Sequence, residues 1–215
     1  MDRFKIDSHK LIYHPQRVCQ WLEGKNIYPI YVEIAPSGAC NHRCIFCGLD
    51  YIGYKTQYIE TNHLKKFLIT ASNKGIKSIM YAGEGEPLLH KDIINIVNAT
   101  KDNGIDTAVT TNGVFLTEEF SDKALKSLCW VRISLNAGTK GTYAKIHRTK
   151  EEDFDKVINN IKYAAKTRAK NKLATTIGAQ ILLLPQNYKE IPTLAKILKD
   201  IGADYLIVKP YSKHP

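Results

Sequence analysis

Three cysteines fall within eight residues, in the run Cys40-Asn41-His42-Arg43-Cys44-Ile45-Phe46-Cys47. As thiolates they can converge on one cubane, since thiolate is the preferred ligand of iron–sulfur centres. A four-iron cluster on three protein ligands keeps one iron open. An open position marks a reactive metal site, whereas structural sites are filled. Zinc is the alternative, with His42 or His63 completing a tetrahedron. Zinc modules favour two separated Cys–Cys pairs, and no second pair occurs here. Spacing alone keeps both metals open and favours iron–sulfur modestly.

A second constellation is Gly83-Glu84-Gly85-Glu86-Pro87. Glycine lets backbone approach a ligand closely, and a carboxylate answers an ammonium charge. Taken by itself, the run also reads as an ordinary acidic turn.

Composition narrows the setting. The 215 residues, 44% apolar and 24% charged, suit one globular domain with a sizeable core. Five cysteines, three of them clustered, do not resemble a secreted disulfide framework. Cys19 and Cys129 are expected to be small buried hydrophobes. Residues 1–10 lack the apolar core of a signal peptide, and no apolar run approaches the roughly 18 residues that cross a bilayer. A cytoplasmic protein without a membrane partner is expected. The net charge of +10 is mostly lysine scattered over helical faces, with no block of like charges. That pattern argues for solvated helix surface and against nucleic-acid binding.

These groups need a scaffold, and the hydrophobic pattern supplies one. Strands are expected at residues 30–34, 78–82, 106–111, 130–136, 175–184 and 205–208. Amphipathic helices alternate with them. The first covers residues 62–73 and buries Leu64, Phe67, Leu68 and Ala71 at helical spacing, ending at Gly75. The second covers 91–102 and ends at Gly104; the third starts at the N-cap Thr117. The fourth opens on Thr149-Lys150-Glu151-Glu152, a capping-box spacing, and buries Phe154, Val157, Ile158 and Ile161. The fifth opens at Asn187 with Glu190 and runs to Gly202. Such repetition implies a parallel sheet. The expected fold is α/β, an open partial (β/α)6 barrel of parallel strands with a short N-terminal extension. Residues 1–27 form that extension, packed on the core. Residues 28–215 form the barrel, which either continues past strand six in the native protein or is a trimmed core. The cysteine loop then follows strand one, at the edge where barrels place active sites.

The pattern C-x3-C-x-aromatic-C after the first strand resembles the signature of the radical S-adenosylmethionine (SAM) superfamily, with Phe46 in the aromatic slot. Gly85, Glu86 and Pro87 resemble the end of the family's Gly-Gly-Glu-Pro motif, in which Glu84 replaces the first glycine. Thr111, Asn112 and Gly113 resemble its Thr-Asn-Gly. The resemblance spans roughly residues 30–211. It implies a four-iron four-sulfur (4Fe-4S) cluster on Cys40, Cys44 and Cys47, with SAM chelating the open iron. It also implies SAM contacts from Phe46, Gly85, Glu86, Pro87, Asn112, Ser134, Asn136, Gln180 and Arg148. Glu86 is expected to meet the SAM ammonium group. His147, Tyr143 and Tyr211 are further candidates for the cavity, and no catalytic residue is assigned.

The activity implied is oxygen-sensitive reductive cleavage of SAM to a 5′-deoxyadenosyl radical that abstracts hydrogen from an organic substrate. The partners implied are a small-molecule or peptide substrate and an electron donor such as flavodoxin or ferredoxin. An activase or maturase acting on a protein is the first rival, and a non-enzymatic zinc or iron–sulfur nucleic-acid-binding module the second. The segment Lys209-Pro210-Tyr211-Ser212-Lys213-His214 ends strand six. Extended backbone before Pro210 can carry Lys209 to the barrel lumen, so an anionic substrate is expected.

Overall fold

Alternation along the strands divides the molecule into a buried layer and an open lumen. Residues such as Ile79, Tyr81, Val109, Val131, Ile133, Ile177 and Ala179 are buried and join one apolar core with the helices. The intervening positions, among them Met80, Thr110, Arg132, Ser134 and Gln180, occupy the opposite face because successive side chains in a strand point to opposite sides.

The chain is a computed structural model that describes residues 10–49, 53 and 55–211. Six strands, β1 (Tyr31–Ile34), β2 (Ser78–Tyr81), β3 (Asp106–Thr111), β4 (Trp130–Ser134), β5 (Thr176–Leu183) and β6 (Tyr205–Pro210), form one sheet in sequence order. Every pairing is parallel. Parallel neighbours need crossovers, and helices supply them. They are α2 (Thr61–Asn73), α3 (Ile93–Asp102), α4 (Glu118–Ala124), α5 (Lys140–His147), α6 (Glu152–Lys170) and α7 (Ile191–Asp200), preceded by α1 (Pro15–Leu22). Because β1 and β6 are both edges, the fold is an open partial (β/α)6 barrel, as the alternation predicts. Among the described residues no helix is long and apolar enough to cross a membrane.

Local chemistry explains most boundaries. Glu60 caps α2 by accepting bonds from the Asn62 and His63 amides at 3.0 and 2.8 Å. Leu64, Leu68 and Ala71 face the core, and burying Leu68 fully contributes roughly 2 kcal/mol. Phe67, expected beside them, is exposed, since the stripe that meets the sheet is narrower than the spacing allows. Thr117 caps α4 through the Phe120 amide at 3.1 Å, as expected. The capping box at Thr149 does not form: Glu151 stands before α6 without a side-chain cap, and the Thr149 hydroxyl donates to Asp153 instead.

Three further expectations are corrected. Helix α5 was not among the expected elements; Thr139 caps its Thr142 amide, and the Glu190 carboxylate accepts from the Gly138 amide at 2.7 Å. Asn187 does not cap α7, because its side chain is fully buried and bonded to β4 and β5 segments. Cys19 is exposed, since α1 has no buried residue. Cys129 is half-buried.

Candidate active site

The loop that follows β1 carries the three cysteines across the C-terminal edge of the sheet. It is fixed on two sides by backbone bonds. The Glu86 amide donates to Ala39 O at 2.7 Å, and the Arg43 and Ile45 amides donate to His147 O and Ile146 O at 3.1 and 2.9 Å. Gly85 makes the first contact possible. Its φ is +75°, and an added Cβ would overlap the backbone of Ser37, Gly38 and Ala39, reaching 2.6 Å from Ala39 O. The glycine therefore serves close packing on the cysteine loop.

Glu86 is 2% exposed, and its carboxylate accepts three bonds. Oε1 accepts from the Thr111 hydroxyl at 2.6 Å and the Leu88 amide at 3.0 Å. Oε2 accepts from the Asn112 amide at 2.7 Å. Burial pushes its carboxyl above the usual carboxylate range, while the three hydrogen bonds pull the other way. The side chain expected to meet SAM thus spends its donor-accepting capacity mainly on the ends of β2 and β3. Pro87 is buried at the start of a 3₁₀ turn, and Glu84 is exposed. Asn112 reaches the cysteine loop through Asn41 Oδ1 at 2.8 Å and closes its own turn on the Val114 amide.

Cys40, Cys44, Phe46, Cys47, Gly85, Glu86, Pro87, Asn112, Ser134 and His147 line one pocket of about 200 Å³. The other expected SAM contacts lie outside that lining. Gln180 is half-buried on the lumen face, opposite Ser134 in register. Asn136 is buried, with Oδ1 accepting from the Leu182 amide at 2.8 Å. Arg148 is exposed and takes a left-handed conformation, φ 49°, that ends α5. Tyr143 is buried behind the pocket, stacked on His147 at 4.2 Å, and Tyr211 is 36% exposed. Lys209 is exposed on β6, and Ser212, Lys213 and His214 lie outside the described residues.

His147 is a full participant that the sequence left loosely held. Its Nδ1 is 3.2 Å from Cys44 Sγ, and its ring meets Phe46 edge-on at 6.3 Å. Burial, then nearby His42, hold its pKa well below the ordinary imidazole value, so it is neutral. The signal for it was Tyr143, Ile146 and His147 at helical spacing after the N-cap Thr139.

The donor set fits a cluster. None of the three thiols is in a disulfide and all border the same pocket, and the His42 amide donates to Cys40 Sγ at 3.4 Å. Bonds to sulfur of this kind surround iron–sulfur centres. Burial, first among several causes, raises the Cys40 thiol pKa in the absence of metal. His42, Cys44 and His147 also place ligand atoms within 4.8 Å of one another. His63, the other zinc candidate, is exposed and paired with Glu60. A larger cavity of about 690 Å³ between the starts of α2 and α3 holds none of the cysteines.

The family model of the radical SAM superfamily matches residues 34–198. The chain belongs to the radical SAM superfamily. Its cofactors are those of the family, a 4Fe-4S cluster and SAM. The chain is 30% identical to the probable GTP 3′,8-cyclase of Methanocaldococcus jannaschii over 86% of its own length and 60% of that protein. It is 28% identical to the GTP 3′,8-cyclase of Chlorobaculum tepidum over 86% of its length and 55% of that protein. It therefore spans a little over half the length of these radical SAM relatives. The structure of Streptococcus suis SuiB bound to precursor peptide SuiA has the same fold, with a TM-score of 0.74 and 21% identity. That match covers 94% of this chain and 44% of SuiB.

Proposed function

We propose that this chain is the catalytic core of an enzyme that cleaves SAM reductively and directs the resulting radical at an organic substrate in the barrel lumen. When bound, the cluster and SAM supply the electron and a 5′-deoxyadenosyl group that removes a hydrogen atom. Cys40, Cys44 and Cys47 would each hold one iron of the cluster. Gly85, Glu86, Pro87, Phe46, Asn112 and Ser134 line the same pocket as these thiols and would face the bound SAM. Asn136, Gln180 and Arg148 are the more distant members of the proposed SAM set. The observation that carries this reading is the convergence of the cysteine loop with the ends of β2, β3 and β4 on one pocket.

The substrate is proposed to be an anionic small molecule. Arg132 supports this from the lumen face of β4. It is half-buried, stacked 4.6 Å from the Trp130 ring and 3.5 Å from the Tyr205 hydroxyl, and forms no ion pair among the described residues. Lys209 shares the strand face of Tyr205 by alternation. The cyclase relatives are named for GTP, itself an anion. A peptide is the second reading, favoured by the gap between the edge strands β1 and β6. A flavodoxin or ferredoxin is the proposed electron donor, and acidic partners of that type suit the net charge of +10. A cytoplasmic setting suits five cysteines with no disulfide among them. Residues 1–27 are taken as an extension, in whose described part Arg17 donates to Tyr28 O.

Anaerobic purification should yield a brown, iron-containing protein that forms 5′-deoxyadenosine from SAM and reductant. Nucleotides and small carboxylates should raise the yield more than peptides do. Cys44→Ala should abolish both cluster and cleavage, and Cys129→Ala should leave them. A colourless zinc protein, or a Cys44→Ala variant that cleaves SAM normally, would overturn the reading.

A further inference from the structure

A chain of hydrogen bonds runs from the end of β5 to Cys44, and its direction can be assigned from obligate donors. The Leu182 amide can only donate, so the atom it meets on Asn136 at 2.8 Å is the side-chain oxygen. The other end of that side chain is then the NH2 group, and it faces His147 Nε2 at 3.5 Å. The Asn136 backbone amide, also an obligate donor, points at the same nitrogen from 3.4 Å. Two donors on Nε2 make it the acceptor of a neutral imidazole, which places the ring proton on Nδ1. Nδ1 is the atom 3.2 Å from Cys44 Sγ.

The rest of the assembly holds this arrangement rigid. Asn187 Nδ2 donates to Asn136 O at 2.9 Å and to Leu182 O at 2.8 Å. The Leu184 amide donates to Asn187 Oδ1 at 2.8 Å, which orients that amide in turn. His147 and Asn136 are each 1% exposed, so water does not compete for these bonds.

We propose that His147 is a positioning residue that donates its Nδ1–H to the Cys44 thiolate and thereby sets the reduction potential of the cluster. The proposal rests on the cluster assignment above and adds to it. Reduction puts electron density on the cluster sulfurs, and a donor aimed at one of them stabilises the reduced form more than the oxidised form. His147 therefore makes the cluster easier to reduce. Asn136 and Asn187 act through His147 by fixing its tautomer.

The test compares two side chains of similar size in the full chain, reconstituted with iron and sulfide and kept free of SAM. His147→Leu removes the donor, and His147→Asn restores an N–H near the Nδ1 position. Redox titration followed by electron paramagnetic resonance reads the midpoint directly. At a fixed solution potential, His147→Leu should lower the ratio of reduced to oxidised cluster about tenfold, a shift of about 59 mV for a one-electron couple. His147→Asn should recover most of that loss. An unshifted midpoint in His147→Leu at full iron content overturns the proposal. Where His147→Leu fails to assemble a cluster, the wild-type protein decides. With histidine labelled by 15N, its reduced cluster should show a weak nitrogen coupling that His147→Asn lacks. No histidine coupling, or the strong coupling of a directly ligated imidazole, overturns the proposal. Failure of Cys44→Ala to lose the cluster would instead remove the assignment on which it rests.

Discussion

Two buried polar side chains hold the two halves of the strand edge, and they do it with different chemistry. On the β2–β3 side, the Glu86 carboxylate gathers three donors, from Leu88, Thr111 and Asn112. On the β4–β5 side, the Asn187 amide both accepts and donates, bonding Leu184, Leu182 and Asn136. A carboxylate can take several donors at once but carries a charge into the interior, which is why its protonation is favoured by burial. An amide is neutral and must be oriented correctly to satisfy both of its ends. The comparison teaches that the edge bearing the cysteines is built from side chains that bind other parts of the chain. The ligand-facing surface is what they leave open.

The largest expected effect of breaking that comparison is Glu86→Ala. Three donors would lose their acceptor, two of them at the end of β3, and stability should fall by about 3–5 kcal/mol. Iron content should fall with it, because the Glu86 carboxylate holds the Asn112 amide and Asn112 in turn holds Asn41 of the cysteine loop. Denaturant unfolding together with iron analysis checks both. A stable, fully loaded variant that only binds SAM poorly would return Glu86 to the ligand role expected from the sequence. Asn187→Ala should cost less, about 1–3 kcal/mol, since each lost bond is neutral. Its second consequence should be a smaller negative effect of His147→Leu on the cluster potential, because the His147 donor is then no longer held in place.

The smallest effect is a slope. The folded-state pKa of Glu86 is raised above its unfolded value, so the native chain holds more protons in that window. Stability from this group should therefore fall as pH rises through the window above about 4.5. Unfolding of cluster-free protein at several pH values should show that fall in the wild type. Glu86→Gln should lack it, and identical slopes would place the charge outside the interior.

Legibility in the sequence followed how local each signal was. The six strands were readable because each carries a short β-branched or apolar run, and the cysteines because their spacing is itself the signal. Phe46 and Ser134 were readable as pocket residues through the family resemblance. Helix α5 was not, since Gly141 interrupts its pattern and its strongest cap, Glu190, comes from far along the chain. The only local trace of His147's burial was the short Tyr143, Ile146, His147 spacing after Thr139, and nothing local pointed to its contact with Cys44. Asn187 followed by Glu190 imitated a helix start, and both side chains in fact serve other elements. Phe67 and Cys19 failed for the opposite reason: their residue types predict burial, but no element covers them.

The docking of the cysteine loop has a consequence for assembly. The Arg43 and Ile45 amides are bonded to the last carbonyls of α5, and the Glu86 amide is bonded to Ala39 O. Fixing the backbone of one residue costs about 1–2 kcal/mol, and the bonds that fix this loop close within the chain itself. Cluster loading is then expected to be insertion into a cradle already shaped. Amide protons of residues 43, 45 and 86 should exchange slowly in cluster-free protein, and far-ultraviolet circular dichroism should scarcely change when iron and sulfide are added.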